Sequence, residues 1–369
     1  MKIEKITLYH LRMELKTAFE TSFGRIKTRD CILVEMIADG VTGYGECVAD
    51  RDPGYSYETS GTAWHIYCDF MIPPLIGKTI DHPAQFQELV SWINGHNMAK
   101  AGVEMALWDV YGKQQGKSLM GLLGGEKLQV PVGVSVGIQD SPEALVKVVE
   151  AYLKEGYQRV KIKIKPGKDV IETSHLRKLF PDLQLQVDAN SAYQLKDAHQ
   201  LKPLDDLGLL LIEQPLASDD IWDHSRLQAE FKTPICLDES ILNQRHARQA
   251  IEMKATKVIN IKQGRVGGLS EGSAIHDLCQ QHNIPVWCGG MLETGVGRAA
   301  NLALASLPNF TLPGDISATE RYYLEDITNE MFTLNPDSTV TVPQKPGLGI
   351  TINTRALEQV TLCQQVFSE

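Results

Sequence analysis

The segment Val160–Lys165, VKIKIK, decides how the rest of the chain is read. Lys161 and Lys163 alternate with isoleucines, so one side of an extended strand carries ammonium groups where a core normally takes aliphatic side chains. Twenty-five residues beyond Lys163 stands Asp188, closing the apolar run LQLQVDAN (183–190). The same interval leads to Glu213 in LLLIEQP (209–215) and again to Asp238 in PICLDES (234–240). Lys262 follows 24 residues later and closes VINIKQG (258–264). An interval of this length holds one strand, one helix and two loops. Polar residues at the ends of evenly spaced strands therefore converge on one mouth of a β/α barrel.

Outward from this stretch the rhythm continues. VPVGVSVG (130–137) precedes it, and IPVWCGG (284–290) and FTLPGD (310–315) follow, which makes eight candidate strands. Between the first two lies DSPEALVKVVEAYLKEG (140–156), a helix with Ser141 as N-cap, Pro142 in the first turn and Gly156 past the end. Alternating strands and helices predict a parallel sheet, and eight units predict closure. Upstream, residues 1 to about 50 read as strands, with a tight hairpin turn at Asp39-Gly40. Residues 57–123 read as helices; in NMAKAGVEMALWDVYGKQQG (97–116) the spacing of Met98, Ala101, Met105 and Trp108 predicts one buried face. Gly124-Gly125 breaks that pattern. The expected organisation is an N-terminal α+β domain over 1–125, a barrel over 126–320, and a C-terminal segment over 321–369 that returns to the first domain.

The chain has 369 residues and a formal net charge of −10. That balance disfavours nucleic acid and anionic membrane surfaces as partners. No run of about 18 apolar residues exists, and the start MKIEKITLYHL lacks the features of a secretory leader. Seven scattered cysteines without a CxxC pair argue against a thiolate zinc site and fit a reducing cytoplasm.

A carboxylate or lysine facing a barrel interior is costly unless it is paired or metal-bound. Asp188, Glu213 and Asp238 offer three oxygen donors and no nitrogen or sulfur, a set suited to Mg²⁺ or Mn²⁺. Lys161 lies beside Lys163, where it favours the neutral, basic form of that residue. Lys262 faces Lys163 across the mouth. Two amines bracketing a metal-held substrate suit removal of a proton next to a carboxylate. The enediolate so formed has charge that a divalent ion stabilises as it develops.

These residues resemble the enolase superfamily over nearly the whole chain. KIK, the three acids and NIKQGRVGG (260–268) are similar to its muconate-lactonizing subgroup. QVDANSAY, LLIEQPL, PICLDES, VWCGGMLETGVGRAAN and LPGDISA resemble the o-succinylbenzoate synthases, especially the branch that also racemises N-acylamino acids. The resemblance implies a modified TIM-type barrel, (β/α)7β, with an N-terminal α+β capping domain completed by the C-terminal tail. It implies loss of water from 2-succinyl-6-hydroxy-2,4-cyclohexadiene-1-carboxylate in menaquinone biosynthesis, with N-acylamino acid racemisation as a side activity or as the main one.

By that resemblance Lys163 takes the α-proton and Lys262 stabilises the enediolate or acts as the second base. Asn190 and Glu239 support them. Ser135 touches substrate or only caps a strand end. Backbone N–H groups at Gly290 and Met291 receive a succinyl carboxylate. Phe19 and Tyr55, in capping segments 19–23 and 50–55, close over the mouth or simply pack. Glu293 touches ligand or pairs with Arg298, and Arg265 is either the arginine of racemising members or a surface charge. Asp315-Ile316-Ser317 lacks the second acid of the dipeptide epimerases. The implied partner is a small carboxylate, and relatives commonly self-associate into homo-oligomers. Two other readings remain open on the residues alone: a Schiff-base aldolase using Lys262, and a metal-binding scaffold without catalysis.

Overall fold

The computed structural model describes residues 1–369. Its N-terminal part is a four-stranded antiparallel sheet in the order Thr361–Ser368, Ile3–Thr21, Gly24–Ala38, Val41–Cys47. β1 (Ile3–Thr21) and β2 (Gly24–Ala38) form a long hairpin, and β3 (Val41–Cys47) follows through the turn at Asp39 and Gly40. Both turn residues have positive φ, 47° and 72°, as a two-residue hairpin loop requires. The edge strand β13 (Thr361–Ser368) comes from the C-terminus and pairs with β1 from Leu11 back to Lys5.

The helix Asn97–Gln115 packs against β3 and also against the short helix Gln263–Val266 of the barrel. Its spacing predicted one buried face. The structure buries it nearly all round, Lys100, Glu104 and Asp109 included, because it lies between the capping sheet and the barrel. The barrel core reaches into the cap at the same seam, through Leu11, Met13, Cys31, Leu33 and Met105.

The second sheet holds seven parallel strands in sequential order: β5 (Val134–Val136), β6 (Arg159–Lys163), β7 (Gln184–Asp188), β8 (Ile212–Glu213), β9 (Ile235–Leu237), β10 (Val258–Ile261) and β11 (Val286–Cys288). VPVGVSVG divides in two. Its first half is β4 (Gln129–Pro131), which pairs antiparallel with β12 (Thr339–Thr341) of the tail, and only its second half enters the barrel as β5. The helix after β5 starts and ends where its sequence signals stand: Ser141 accepts from the Ala144 N–H, and Gly156 adopts φ 110°.

The eighth expected strand, FTLPGD, is not a ladder strand. It closes the ring through isolated bridges, Val286 with Phe310 and Val132 with Gly314. The Gly133 N–H donates to the Gly314 carbonyl at 2.8 Å, and the Asp315 N–H to the Cys288 carbonyl at 2.8 Å. Pro313 has no N–H to contribute, which prevents a continuous ladder here. The architecture is thus a modified TIM barrel with a capping domain. No helix is long and apolar enough to cross a membrane.

Candidate active site

The C-terminal ends of the barrel strands bring the spaced residues together. One carboxylate oxygen from each of Asp188, Glu213 and Asp238 lies within 4.8 Å of the others, and all three side chains are buried. Pairing puts Asp188 beside Glu213 and Glu213 beside Cys236, so the acids end neighbouring strands. An all-oxygen cluster of this kind fits a hard divalent cation with positions left for substrate oxygens.

Around the acids lies a ring of cations. Lys161 reaches Glu213 at 2.8 Å, Asp315 at 2.6 Å and Asp188 at 3.2 Å, and its ammonium lies 4.8 Å from the centre of the Trp287 ring. Lys163 donates to Asp188 at 2.5 Å and to the Asn190 side-chain oxygen at 2.8 Å. Lys262 donates to Asp238 at 2.7 Å and to the Tyr55 hydroxyl at 3.1 Å. Tyr55 in turn donates to Asp238 at 2.8 Å.

Burial pushes the Glu213 carboxyl up to about 8, with Asp188 adding to the rise. Burial and then Asp238 do the same to Glu239, also to about 8. For Asp188 burial acts upward too, but Lys163 and Lys161 outweigh it and hold the carboxyl below its ordinary value. Lys262 is the mirror case: burial opposes its charge, and Asp238 overrules it and raises the ammonium above its ordinary range.

Lys161, Lys163, Lys262, Ser135, Asn190 and Tyr55 line one cavity of about 210 Å³. Phe19, Gly290 and Met291 line it as well, so cap and barrel both contribute walls. Several residues just past the strand ends hold positive φ without being glycine: Asn190 (43°), Gln214 (38°), Leu292 (58°) and Ser317 (52°). Backbone of this kind persists where surrounding contacts over-determine it, as around a built site.

The sequence matches two family models, the mandelate racemase / muconate lactonizing enzyme N-terminal domain over residues 3–124 and the enolase C-terminal domain-like family over 144–356. The chain belongs to the enolase superfamily. An o-succinylbenzoate synthase from Geobacillus kaustophilus is 49% identical over 368 residues, covering 100% of this chain and 98% of that one. An N-succinylamino acid racemase from an Amycolatopsis species is 47% identical over 362 residues, covering 98% of each. The crystal structure of an enolase-superfamily member from Listeria innocua superposes with a TM-score of 0.96 at 42% identity, covering 100% of this chain and 99% of that one.

Within this superfamily frame some expected site residues sit elsewhere than the sequence placed them. Arg265 is neither a surface charge nor part of the cavity wall. It is 2% exposed, and its guanidinium donates to the carbonyls of Ile241 (2.8 Å) and Asn260 (2.6 Å) and to Asp238. These contacts hold the guanidinium against Asp238, behind the cavity wall. The Met291 N–H is not free for a ligand, because Glu293 accepts it at 2.8 Å. The other Glu293 oxygen accepts from Asn301 at 2.9 Å, and Arg298 reaches only the Glu293 backbone carbonyl. Glu239 stands behind the wall and accepts from Asn190 at 2.9 Å, which aims the Asn190 oxygen at Lys163. The Ser135 hydroxyl is buried without a partner and borders the cavity.

Other contacts of the site went unnoticed in the sequence. Arg159 and Asp315 form a 2.6 Å pair that secures Lys161. Asn260 donates to Glu213 at 2.7 Å, and the Gln214 side chain accepts the Asp238 N–H at 2.9 Å. Arg159 and Asn260 lie two positions before Lys161 and Lys262, on the same strand faces. The alternation that singled out Lys161 was the available signal for both.

Proposed function

We propose that this chain is an o-succinylbenzoate synthase that dehydrates 2-succinyl-6-hydroxy-2,4-cyclohexadiene-1-carboxylate with Mg²⁺ in menaquinone biosynthesis, in the cytoplasm, and that it also racemises N-succinylamino acids. The observation that carries the reading is the placement of two amines, Lys163 at the end of β6 and Lys262 just past β10, in one cavity over three clustered carboxylates. Both activities begin with the same event, removal of a proton from the carbon next to a carboxylate. The full-length relatives carry both names, and all seven cysteines are unpaired, as suits a reducing compartment.

Asp188, Glu213 and Asp238 are the residues that would hold the divalent ion, whose chemistry is to stabilise negative charge gathering on the substrate carboxylate. Lys163 is the base. Its amine is aimed by Asn190, itself aimed by Glu239. As the C–H bond breaks, its electron pair enters the ring, the C–O bond to the departing hydroxyl breaks, and the proton taken by Lys163 passes to that hydroxyl, so water is lost and the ring becomes aromatic. Lys262, kept cationic by Asp238, stabilises the developing charge from the other side. Racemisation uses the same wall differently: one lysine removes the proton and the opposite one returns it on the other face. The presence of Lys262 at the cavity surface favours this second activity, which needs two groups that reach the α-carbon.

The test is turnover of the cyclohexadiene substrate and of N-succinyl amino acids of both hands, with Lys163→Ala and Lys262→Ala. Loss of a positioned base costs on the order of 10²–10⁴-fold. Lys163→Ala is expected to lose both reactions while still binding Mg²⁺. Lys262→Ala is expected to keep α-hydrogen exchange with solvent for one enantiomer only. Turnover by Lys163→Ala like that of the parent would refute the role given to Lys163, and exchange of both hands in Lys262→Ala would refute the two-sided site. An imine trapped on Lys262 by borohydride with a ketone substrate would move the protein to the aldolase reading.

A further inference from the structure

We propose that Arg29 is the specificity-determining residue that selects substrates whose acyl arm ends in a carboxylate; this deepens the function proposed above and rests on it. Arg29 lies on β2 of the cap, is 2% exposed, and lines the same cavity as Lys163 and Lys262. Its Nε donates to the Met291 carbonyl at 3.0 Å and its Nη2 to the Val48 carbonyl at 2.6 Å. Its Nη1 is buried and has no hydrogen-bond partner. A buried donor without an acceptor is costly, and most so on a group that remains charged.

The surrounding acids do not satisfy that nitrogen. Asp50 Oδ1 stands 3.8 Å from Nη1, beyond hydrogen-bond reach, and already accepts the N–H groups of Arg51 (2.7 Å) and Asp30 (3.3 Å). Glu46 is spent on Thr294 and on the Gly297 N–H.

Meanwhile the wall next to Arg29 has lost one of the two donors that the sequence assigned to an anion, the Met291 N–H. Glu293 occupies the Met291 N–H, and Tyr323 fixes the neighbouring Leu292 carbonyl at 2.6 Å. Beside the Gly290 N–H, the unspent charged donor at this lip is Arg29 Nη1. An incoming carboxylate takes the place Asp50 now approaches; the Asp50 side chain is 29% exposed and is the movable member of the pair. A guanidinium nitrogen suits such a group, since its N–H bonds are held in fixed directions that match carboxylate oxygens. The rival role, a cross-link between cap and barrel without contact to substrate, makes a different prediction for neutral acyl groups.

The experiment compares N-succinyl and N-acetyl forms of one amino acid on the wild type, Arg29→Met and Arg29→Lys. A charge-assisted hydrogen bond is expected to be worth about 10–100-fold in kcat/KM. Arg29→Met should lose that factor for the N-succinyl substrate, mainly in KM, over and above whatever it loses for the N-acetyl one. Arg29→Lys should recover part of the loss. Equal losses on both substrates, or none on either, overturn the assignment. Should Arg29→Met fail to fold, the wild type decides: the N-succinyl compound should be preferred at least ~10-fold over its uncharged succinamoyl counterpart, and parity overturns the proposal. If the wild type turns over neither acylamino acids nor the cyclohexadiene, the function proposed above fails and this assignment falls with it. Turnover without discrimination sinks only Arg29.

Discussion

Replacing Glu213 by glutamine separates metal binding from folding, and the reason lies in its two hydrogen bonds. One carboxylate oxygen accepts from Lys161 at 2.8 Å and the other from Asn260 at 2.7 Å. Burial pushes its carboxyl up to about 8, so the metal-free site holds a proton on Glu213 more readily than a free glutamate does. A neutral amide is then a close substitute. Its oxygen can face Lys161 while its NH₂ faces Asn260, whose own side-chain oxygen has no partner and needs only an amide flip to accept. Stability without metal should therefore change by no more than about 1 kcal/mol. Asp238→Asn is the contrasting case. It strips Lys262 and Arg265 of their shared carboxylate and should cost about 3–5 kcal/mol.

With Mg²⁺ the ranking changes. An ion at a hundred times its dissociation constant stabilises the parent by about 2.7 kcal/mol. With an unfolding entropy of about 2 cal/mol/K per residue over 369 residues, that raises Tm by roughly 3–4 °C. Glu213→Gln should show less than about half that rise at the same Mg²⁺ concentration, since one of three ligands is gone. In the parent the ion must displace the Glu213 proton at any pH below about 8, so the Mg²⁺-dependent rise should grow from pH 6.5 to pH 8.5. Differential scanning fluorimetry with EDTA and Mg²⁺ reads all of this without an activity assay. A rise in Glu213→Gln equal to that of the parent, or one flat with pH, would show that the ion does not use this carboxylate.

Treatment with EDTA should abolish turnover and Mg²⁺ or Mn²⁺ should restore it; activity that survives verified metal removal contradicts the assignment of the three acids. Glu46, Glu58 and Glu104 are buried, and burial pushes each carboxyl up to about 7 from an ordinary 4.5. The folded state holds these protons more tightly than the unfolded chain, so their stabilisation is present below pH 4.5 and is lost as pH rises through 7. With metal saturating, Tm should fall between pH 6 and 8, and Glu46→Gln should flatten that slope; an unchanged slope refutes the role of Glu46. Gly45→Ala should destabilise by at least about 3 kcal/mol, because its Cβ would meet the Gly102 backbone carbonyl where β3 lies on the helix Asn97–Gln115. A near-parental denaturation midpoint would show that the cap can move aside.

The barrel was legible because its chemistry is written at a fixed interval on strands. Lys163, Asp188 and Glu213 each end a strand and Asp238 directly follows one, and parallel pairing in sequential order carries equal spacing along the chain into adjacency in space. Even the part that failed, FTLPGD, ends at its expected place around the ring; the proline replaced a ladder by bridges without moving Asp315 from Lys161. What was not legible depends on contacts between residues hundreds of positions apart. Arg265 could not be told from a surface charge because three residues of spacing from Lys262 say nothing about the Asp238 side chain that it pairs with. The Met291 N–H looked free because nothing in VWCGGMLETGVG reveals that Glu293 turns back to take it.

The cap illustrates the same division in functional terms. Its residues reach the cavity from a long hairpin and from the segment after β3, neither of which has a period to read. Yet they are not loosely laid over the barrel. Glu46 accepts from Thr294 and Gly297 at the start of the helix Gly295–Ala305, and Glu104 accepts the Ser270 N–H near the start of the helix Leu269–Gln281. Arg29 holds the Met291 carbonyl from the same side. Each bond ties the cap to barrel segments that directly follow β10 or β11, the strands bearing Lys262 and the Gly290–Met291 lip. Substitutions in the cap can therefore alter which acyl arm is accepted without touching the lysines that move the proton. Chemistry and selectivity sit on different elements joined by buried carboxylates. Such a layout lets the cap vary the accepted arm while the acids and amines of the barrel stay in place.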